Sequence, residues 1–154
     1  MDTLALAASV AAGCVGGVFF AFTAFVMPAL NRLPAAAAVV AMQSINVMAV
    51  RAPLMLALFG TAAVCVVAAV LGIGAWSTPS GPLLVVGAAA YLVGVIGVTG
   101  AGNVPLNNRL AVMEPGAADA AADWSRFTSP WTRLNSVRTV ASLAAAVLFA
   151  LAAR

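Results

Sequence analysis

The sequence has no histidine and no lysine, and only four acidic residues. Without histidine it lacks the commonest metal ligand and the side chain that most often serves as a general base near neutral pH. The acids, Asp2, Glu114, Asp119 and Asp123, are scattered and show no metal-ligand spacing. There is no P-loop, no G-x-G-x-x-G loop and no nucleophile beside a base. A di-iron, copper or histidine-ligated haem centre is not expected, and no cofactor or metal is assigned. Cysteine is scarce as well. Cys14 and Cys65 lie near the middle of apolar stretches, so they read as small packing residues and not as a disulfide framework.

Charge is the chain's largest deficit. No Asp, Glu, Lys or Arg occurs from Ala52 to Asn108. Hydrophobic residues make up 64% of the 154 and charged residues 7%, with a mean hydropathy of +1.11. Soluble domains are about 45–50% apolar and about 25% charged. A chain this apolar cannot cover its surface with polar groups, so its solvent is the lipid bilayer. Nucleic-acid binding is excluded on the same ground.

The apolar residues fall into four segments, at about 3–27, 53–76, 82–102 and 131–153. Each approaches the ~20 residues that cross a hydrocarbon core, and each is apolar on all sides, unlike the alternating strands of a membrane barrel. The first has no basic residue ahead of it, only Asp2, and reads as a retained span. The expected fold is all-α: one domain, residues 1–154, forming a four-helix transmembrane bundle. The link Ser77–Gly81 is short and uncharged, whereas the other two links are long and arginine-bearing. Arg32, Arg51, Arg109, Arg126, Arg133 and Arg138 share one side, against Arg154 on the other. The positive-inside rule then places the long links in the cytoplasm and both termini outside the cell membrane.

The long links carry structure of their own. Residues after Pro34 favour a short helix ending near Arg51-Ala52-Pro53, and 117–127 read as a second short interfacial helix. Pro105 is expected to end the third span and expose carbonyls within reach of Arg138. The fourth is expected to begin near Ser129-Pro130, which puts Arg133, Asn135 and Arg138 inside it. Small residues share a face in the first span (Gly13, Gly16, Gly17) and in the third (Gly87, Gly94, Gly97), a packing signal.

The polar residues converge. Gln43, Asn46, Asn103, Asn107 and Arg109 all fall at the cytoplasmic mouth, with Asn135 and Arg138. Unpaired amides in lipid are costly, so mutual hydrogen bonding or a ligand is implied. Trp131, Asn135 and Arg138 follow i, i+4, i+7 on one helical stripe, which Trp124 and Phe127 extend if Pro130 leaves the phase intact. That stripe either lines a polar cavity or forms an interfacial belt of tryptophan and lipid-binding arginine.

GVFFAFTAFVMPAL at 17–30, MQSIN at 42–46, NVPLNNRLA at 103–111 and WSRFTSPWTRLNSVRTVASL at 124–143 together resemble the anthrone-oxygenase-like family of small four-helix membrane proteins. The resemblance covers nearly the whole chain. It implies, for some members, oxidation of an anthrone to an anthraquinone with O₂. Asn103, Pro105, Asn107, Trp124, Trp131, Asn135 and Arg138 match motif positions, with Gln43 and Asn46 beside them. Leu134 and Ser136 stand where the family often has tryptophan and histidine, and Arg51-Ala52-Pro53 where it often has Asn-Pro.

On the enzyme reading, the partners are a hydrophobic aromatic molecule and O₂. Asn135 and Arg138 would be the catalytic pair, holding an oxyanion. Gln43, Asn46, Asn103, Asn107, Trp124 and Trp131 would bind the substrate, the indoles by stacking. The competing reading is a non-enzymatic membrane protein that binds lipid or partner subunits at its polar mouth. A carrier or channel has least support, because no span carries a charge pair near its middle. The substrate and the oligomeric state are open.

Overall fold

A computed structural model describes residues 1–154. The chain is all helical, with four helices long and apolar enough to cross a membrane and one shorter helix. They are α1 (Asp2–Leu30), α2 (Ala35–Ala49), α3 (Ala52–Gly74), α4 (Ser80–Ala111) and α5 (Ala120–Ala152). This is the architecture of a multi-pass membrane protein. Its outward-facing side chains agree: Phe20 and Phe25 on α1, Leu56 and Phe59 on α3, Val93 on α4 and Val140 on α5 are all exposed. In water that surface would be costly; against acyl chains it is matched.

Three sequence expectations are corrected. The third span does not stop at Pro105 but runs on to Ala111. Residues 117–127 are not a separate interfacial helix, and Ser129-Pro130 is not a start: α5 begins at Ala120 and passes through Pro130 unbroken. A proline inside a helix removes one hydrogen bond and crowds the preceding turn, at about 3 kcal/mol. Around Pro130 the buried Trp124, Phe127 and Trp131 offset that cost. So the long links are mostly helix, and α4 and α5, at 32 and 33 residues, project beyond the hydrocarbon layer at one end. Between them lie α2 and the turns. The helix expected after Pro34 is present as α2, which buries Ala38, Val39 and Met42.

Two other prolines are handled differently. Pro28 and Pro105 each follow a π-helical turn, Phe22–Val26 in α1 and Thr99–Asn103 in α4. Met27 N–H bonds the Phe22 carbonyl and Val104 N–H bonds the Thr99 carbonyl, in each case five residues back. The wider turn accepts a proline ring one residue later without a break. A further π-turn, Leu92–Gly97, lies just before the second.

Packing is close where small residues allow it. A Cβ on Gly94 would collide with the Ala141 side chain, and one on Gly16 would lie 3.0 Å from Ser142 Cβ. Gly17 meets nothing, so the small face of α1 is only partly a contact. Cys65 is buried, Cys14 is exposed, and both are free thiols.

The core is two apolar clusters. One, at the end with the termini, includes Val15, Phe19, Leu58, Tyr91, Val95 and Phe149. The other, at the projecting end, includes Met27, Met42, Leu110, Trp124, Phe127 and Trp131. Between the clusters, α1, α4 and α5 bring polar side chains together: Thr23, then Thr99 and Asn103, then Asn135 and Arg138. That layer is the site.

Candidate functional site

Arg138 is the only buried charged side chain in the protein, 6% exposed. It lies in α5 beside Asn135, which is fully buried. Its Nη2 donates to Asn135 Oδ1 at 2.8 Å and its Nη1 to Thr99 Oγ1 at 3.2 Å. The guanidinium carbon sits 4.2 Å from the centre of the Phe19 ring and 5.5 Å from that of Trp131. No carboxylate answers its charge. The one ion pair in the molecule is Arg126–Asp123, on the surface. Arg138 Nε is buried with no partner.

Asn135 holds this arrangement to α1. Its Nδ2 donates to the Phe19 carbonyl and to Thr23 Oγ1, each at 2.7 Å. Both threonines that reach the pair sit in π-turns. The extra residue in each turn re-aims the helix face so that its hydroxyl meets α5. Thr23 and Thr99 escaped the sequence reading. The usable signal was a proline five or six residues downstream, inside a span that nonetheless had to remain helical.

Replacing either hydroxyl by a methyl group leaves a buried donor of Asn135 or Arg138 short of an acceptor. Thr23→Val and Thr99→Val are each expected to cost about 1–3 kcal/mol, read as a lower melting temperature in detergent. Serine at either position should restore most of it. Unchanged melting of both valine variants would show that the π-turn threonines do not hold the pair.

A cavity of about 190 Å³ opens beside the pair. Its walls are the rings of Phe19, Phe22 and Trp131, aliphatic side chains of α2 and α3, and five polar residues: Asn46, Thr99, Asn107, Asn135 and Arg138. Phe22 and Trp131 are 5.7 Å apart, their planes tilted by 51°. Trp131 Nε1 donates to Asn107 Oδ1 at 2.8 Å, which fixes the indole on the wall. Asn46 Nδ2 is buried and has no partner. The cavity thus offers a cation and an amide N–H, both unmet, beside aromatic faces. Its size is below the roughly 300–1,000 Å³ of common ligand pockets, so its occupant is compact.

Of the residues singled out in the sequence, Asn46, Asn107, Trp131, Asn135 and Arg138 meet at this cavity. Three others lie outside its lining. Gln43 Nε2 donates to the Leu110 and Met113 carbonyls at 2.9 and 3.0 Å, tying α2 to the end of α4. Those end carbonyls are therefore met by Gln43; the expected partner, Arg138, points to Thr99 and Asn135. Asn103 Nδ2 donates to the Trp131 carbonyl at 3.2 Å. Trp124 packs in the second apolar cluster and donates to Asn31 Oδ1 at 3.0 Å. The stripe from Trp124 to Arg138 does stay in phase across Pro130, and every member is buried. No three His, Cys, Asp or Glu side chains come together.

Neither a curated protein nor a solved structure matches this chain. A family model does. Described as anthrone oxygenase, it matches residues 52–148, which hold α3, α4, most of α5 and with them Thr99, Asn107, Trp131, Asn135 and Arg138. Spanning more than half of the chain, the match shows that the protein belongs to the anthrone oxygenase family.

Proposed function

We propose that the protein is a membrane-embedded oxygenase that oxidises a flat, activated aromatic ketone with O₂. The observation that carries this reading is the buried, uncompensated Arg138 on the wall of an aromatic-lined cavity. A buried cation without a counter-charge is strongly disfavoured unless something supplies one. An enolate does. Membership of the anthrone oxygenase family supports the same class of substrate.

On this reading the substrate carries a CH₂ group activated by the ring ketone. One C–H proton leaves to water, and the oxyanion so formed is held by Arg138 and Asn46. Fixed donors aimed at developing negative charge are worth several kcal/mol in a dry site. Asn135 orients the guanidinium, and Trp131 and Phe22 bracket the ring. O₂ adds to the carbanionic carbon and yields a peroxide anion, which takes a proton from water to become the hydroperoxide. Loss of the second C–H proton with cleavage of O–O leaves a carbonyl and hydroxide, which takes up a proton as water. One oxygen atom enters the product and the other becomes water; the substrate's CH₂ supplies all four electrons.

The test is O₂ uptake together with anthraquinone absorbance when purified protein in detergent is given anthrone. Asn135→Ala and Arg138→Ala variants and a protein-free control accompany it, because anthrones autoxidise. Acceleration over the control that is lost in folded variants supports the reading. No acceleration overturns it and favours a polar layer that binds lipid or a partner.

We further propose that the projecting end is cytoplasmic, as its six arginines against one predict. In a cysteine-free background, Ser80→Cys should react with an impermeant maleimide on intact cells, and Ala118→Cys only after lysis. The opposite pattern would invert the topology.

A further inference from the structure

The cavity does not end at its aromatic wall. It adjoins a second space of about 330 Å³, lined by Phe22, Ser44, Ile45, Met48, Ala49 and Leu54. Phe22, Ile45, Ala49 and Leu54 line both, so the two spaces adjoin across these four side chains. At the outer end Ser44 is exposed and Met48 is 58% exposed. No charged side chain lines this outer space. The passage therefore grades from an apolar rim to the unmet donors of Asn46 and Arg138.

Its origin lies in how α2 is docked. The chain turns directly from α2 into α3 at residues 50–51. Yet α2 packs against α5 and the end of α4, while α3 packs against α4 and α1. Two helices that are neighbours in sequence thus diverge, and the wedge between them opens sideways at the start of α3, the level at which that span would enter the acyl layer.

We infer that this wedge is a lateral portal through which the ligand enters from the bilayer. The ligand class is a lipid-dissolved, flat, weakly acidic ring compound that crosses the portal neutral and is held as its anion at Arg138. The route presupposes the anion-binding cavity proposed above. A neutral ring is concentrated in the acyl layer by the same effect that buries apolar surface. The field of Arg138, unscreened by salt inside the bundle, favours the anion only at the inner end.

A constriction on a route slows entry and exit equally and leaves the bound and free states unchanged. A constriction in the site changes affinity. The probe is 1,8-dihydroxyanthraquinone in phosphatidylcholine proteoliposomes, followed by stopped-flow quenching of tryptophan fluorescence, since Trp131 lies on the cavity wall. Ser44→Phe and Met48→Trp narrow the wedge at residues that line only its outer space, and Val93→Phe adds the same bulk on the exposed face of α4, outside both spaces. The wedge variants should slow association and release together by about tenfold, with the dissociation constant held within about twofold. Val93→Phe should change neither rate. Unaltered rates in both wedge variants, slowing by Val93→Phe alone, or weaker affinity without the paired slowing would each overturn the portal. Absence of saturable quenching in the wild type would overturn the anion-binding cavity and the portal together; saturable binding with unaltered wedge-variant rates would overturn the portal alone.

Discussion

Arg138→Met is expected to abolish oxidation of the aromatic ketone and to weaken binding of its anion by at least about 100-fold, while leaving the melting temperature unchanged or raised. The two effects have one cause. Taking a guanidinium out of water costs several kcal/mol after relaxation. Against that stand two hydrogen bonds, to Asn135 and Thr99, and the faces of Phe19 and Trp131. Charged hydrogen bonds contribute about 1.5–3 kcal/mol each, and a desolvated cation–π contact about 2. The terms come close to cancelling, with no carboxylate to tip them. Methionine fills a similar volume, needs no partner and gains about 1.5–3 kcal/mol from burial of its side chain, which offsets the stranded Asn135 Oδ1 at about 1–3 kcal/mol. Thermal scans of detergent-solubilised protein beside ligand titrations give both readings. A melting temperature more than 10 °C below wild type would mean that Arg138 is a strut, and the reading of it as a held-back charge would fail.

The membrane bundle was legible because it rests on composition. A run without charge from Ala52 to Asn108 leaves no folded solution in water, and span count follows from length. The polar layer was legible in part for the same reason: Asn and Arg in such a chain are conspicuous, and i, i+4, i+7 spacing placed Trp131, Asn135 and Arg138 on one stripe. What failed was the reading of proline as punctuation. Pro105 and Pro130 read as helix boundaries, as they would be in a water-exposed segment. In lipid an unsatisfied backbone group has no water to turn to, so the chain keeps its helix: it carries Pro130 inside α5 and widens a turn ahead of Pro28 and Pro105. That choice moved the ends of α4 and α5 outward. It also created the π-turn positions of Thr23 and Thr99, which periodicity at 3.6 residues cannot locate. The distinction between Asn46, with its amide donor unmet, and Gln43, committed to α4 carbonyls, is likewise one of tertiary placement. Both read as amides near a helix mouth.

Asn135→Asp separates the charge of the site from its shape. The substitution keeps the size of the side chain and sets a carboxylate where Oδ1 now accepts from Arg138 at 2.8 Å. At an effective dielectric of about 20, opposite charges some 4 Å apart attract by about 4 kcal/mol. A ligand anion must now compete with that internal partner, so its affinity should fall by about 100- to 1,000-fold, with turnover lost alongside. The fold should survive. Thr23 can reverse its hydroxyl and donate to the carboxylate, and the new ion pair offsets the repulsion where Asn135 now donates to the Phe19 carbonyl at 2.7 Å. Asn135→Ala should behave in the opposite sense. It strands Arg138 Nη2 and opens a void at a fully buried position, so melting should drop by several degrees. The cation stays uncompensated, however, and part of the ligand affinity should remain. Equilibrium binding of 1,8-dihydroxyanthraquinone to the two variants decides the matter. If aspartate binds it as tightly as wild type, the occupant of the cavity is not an anion, and Arg138 faces it for some reason other than charge.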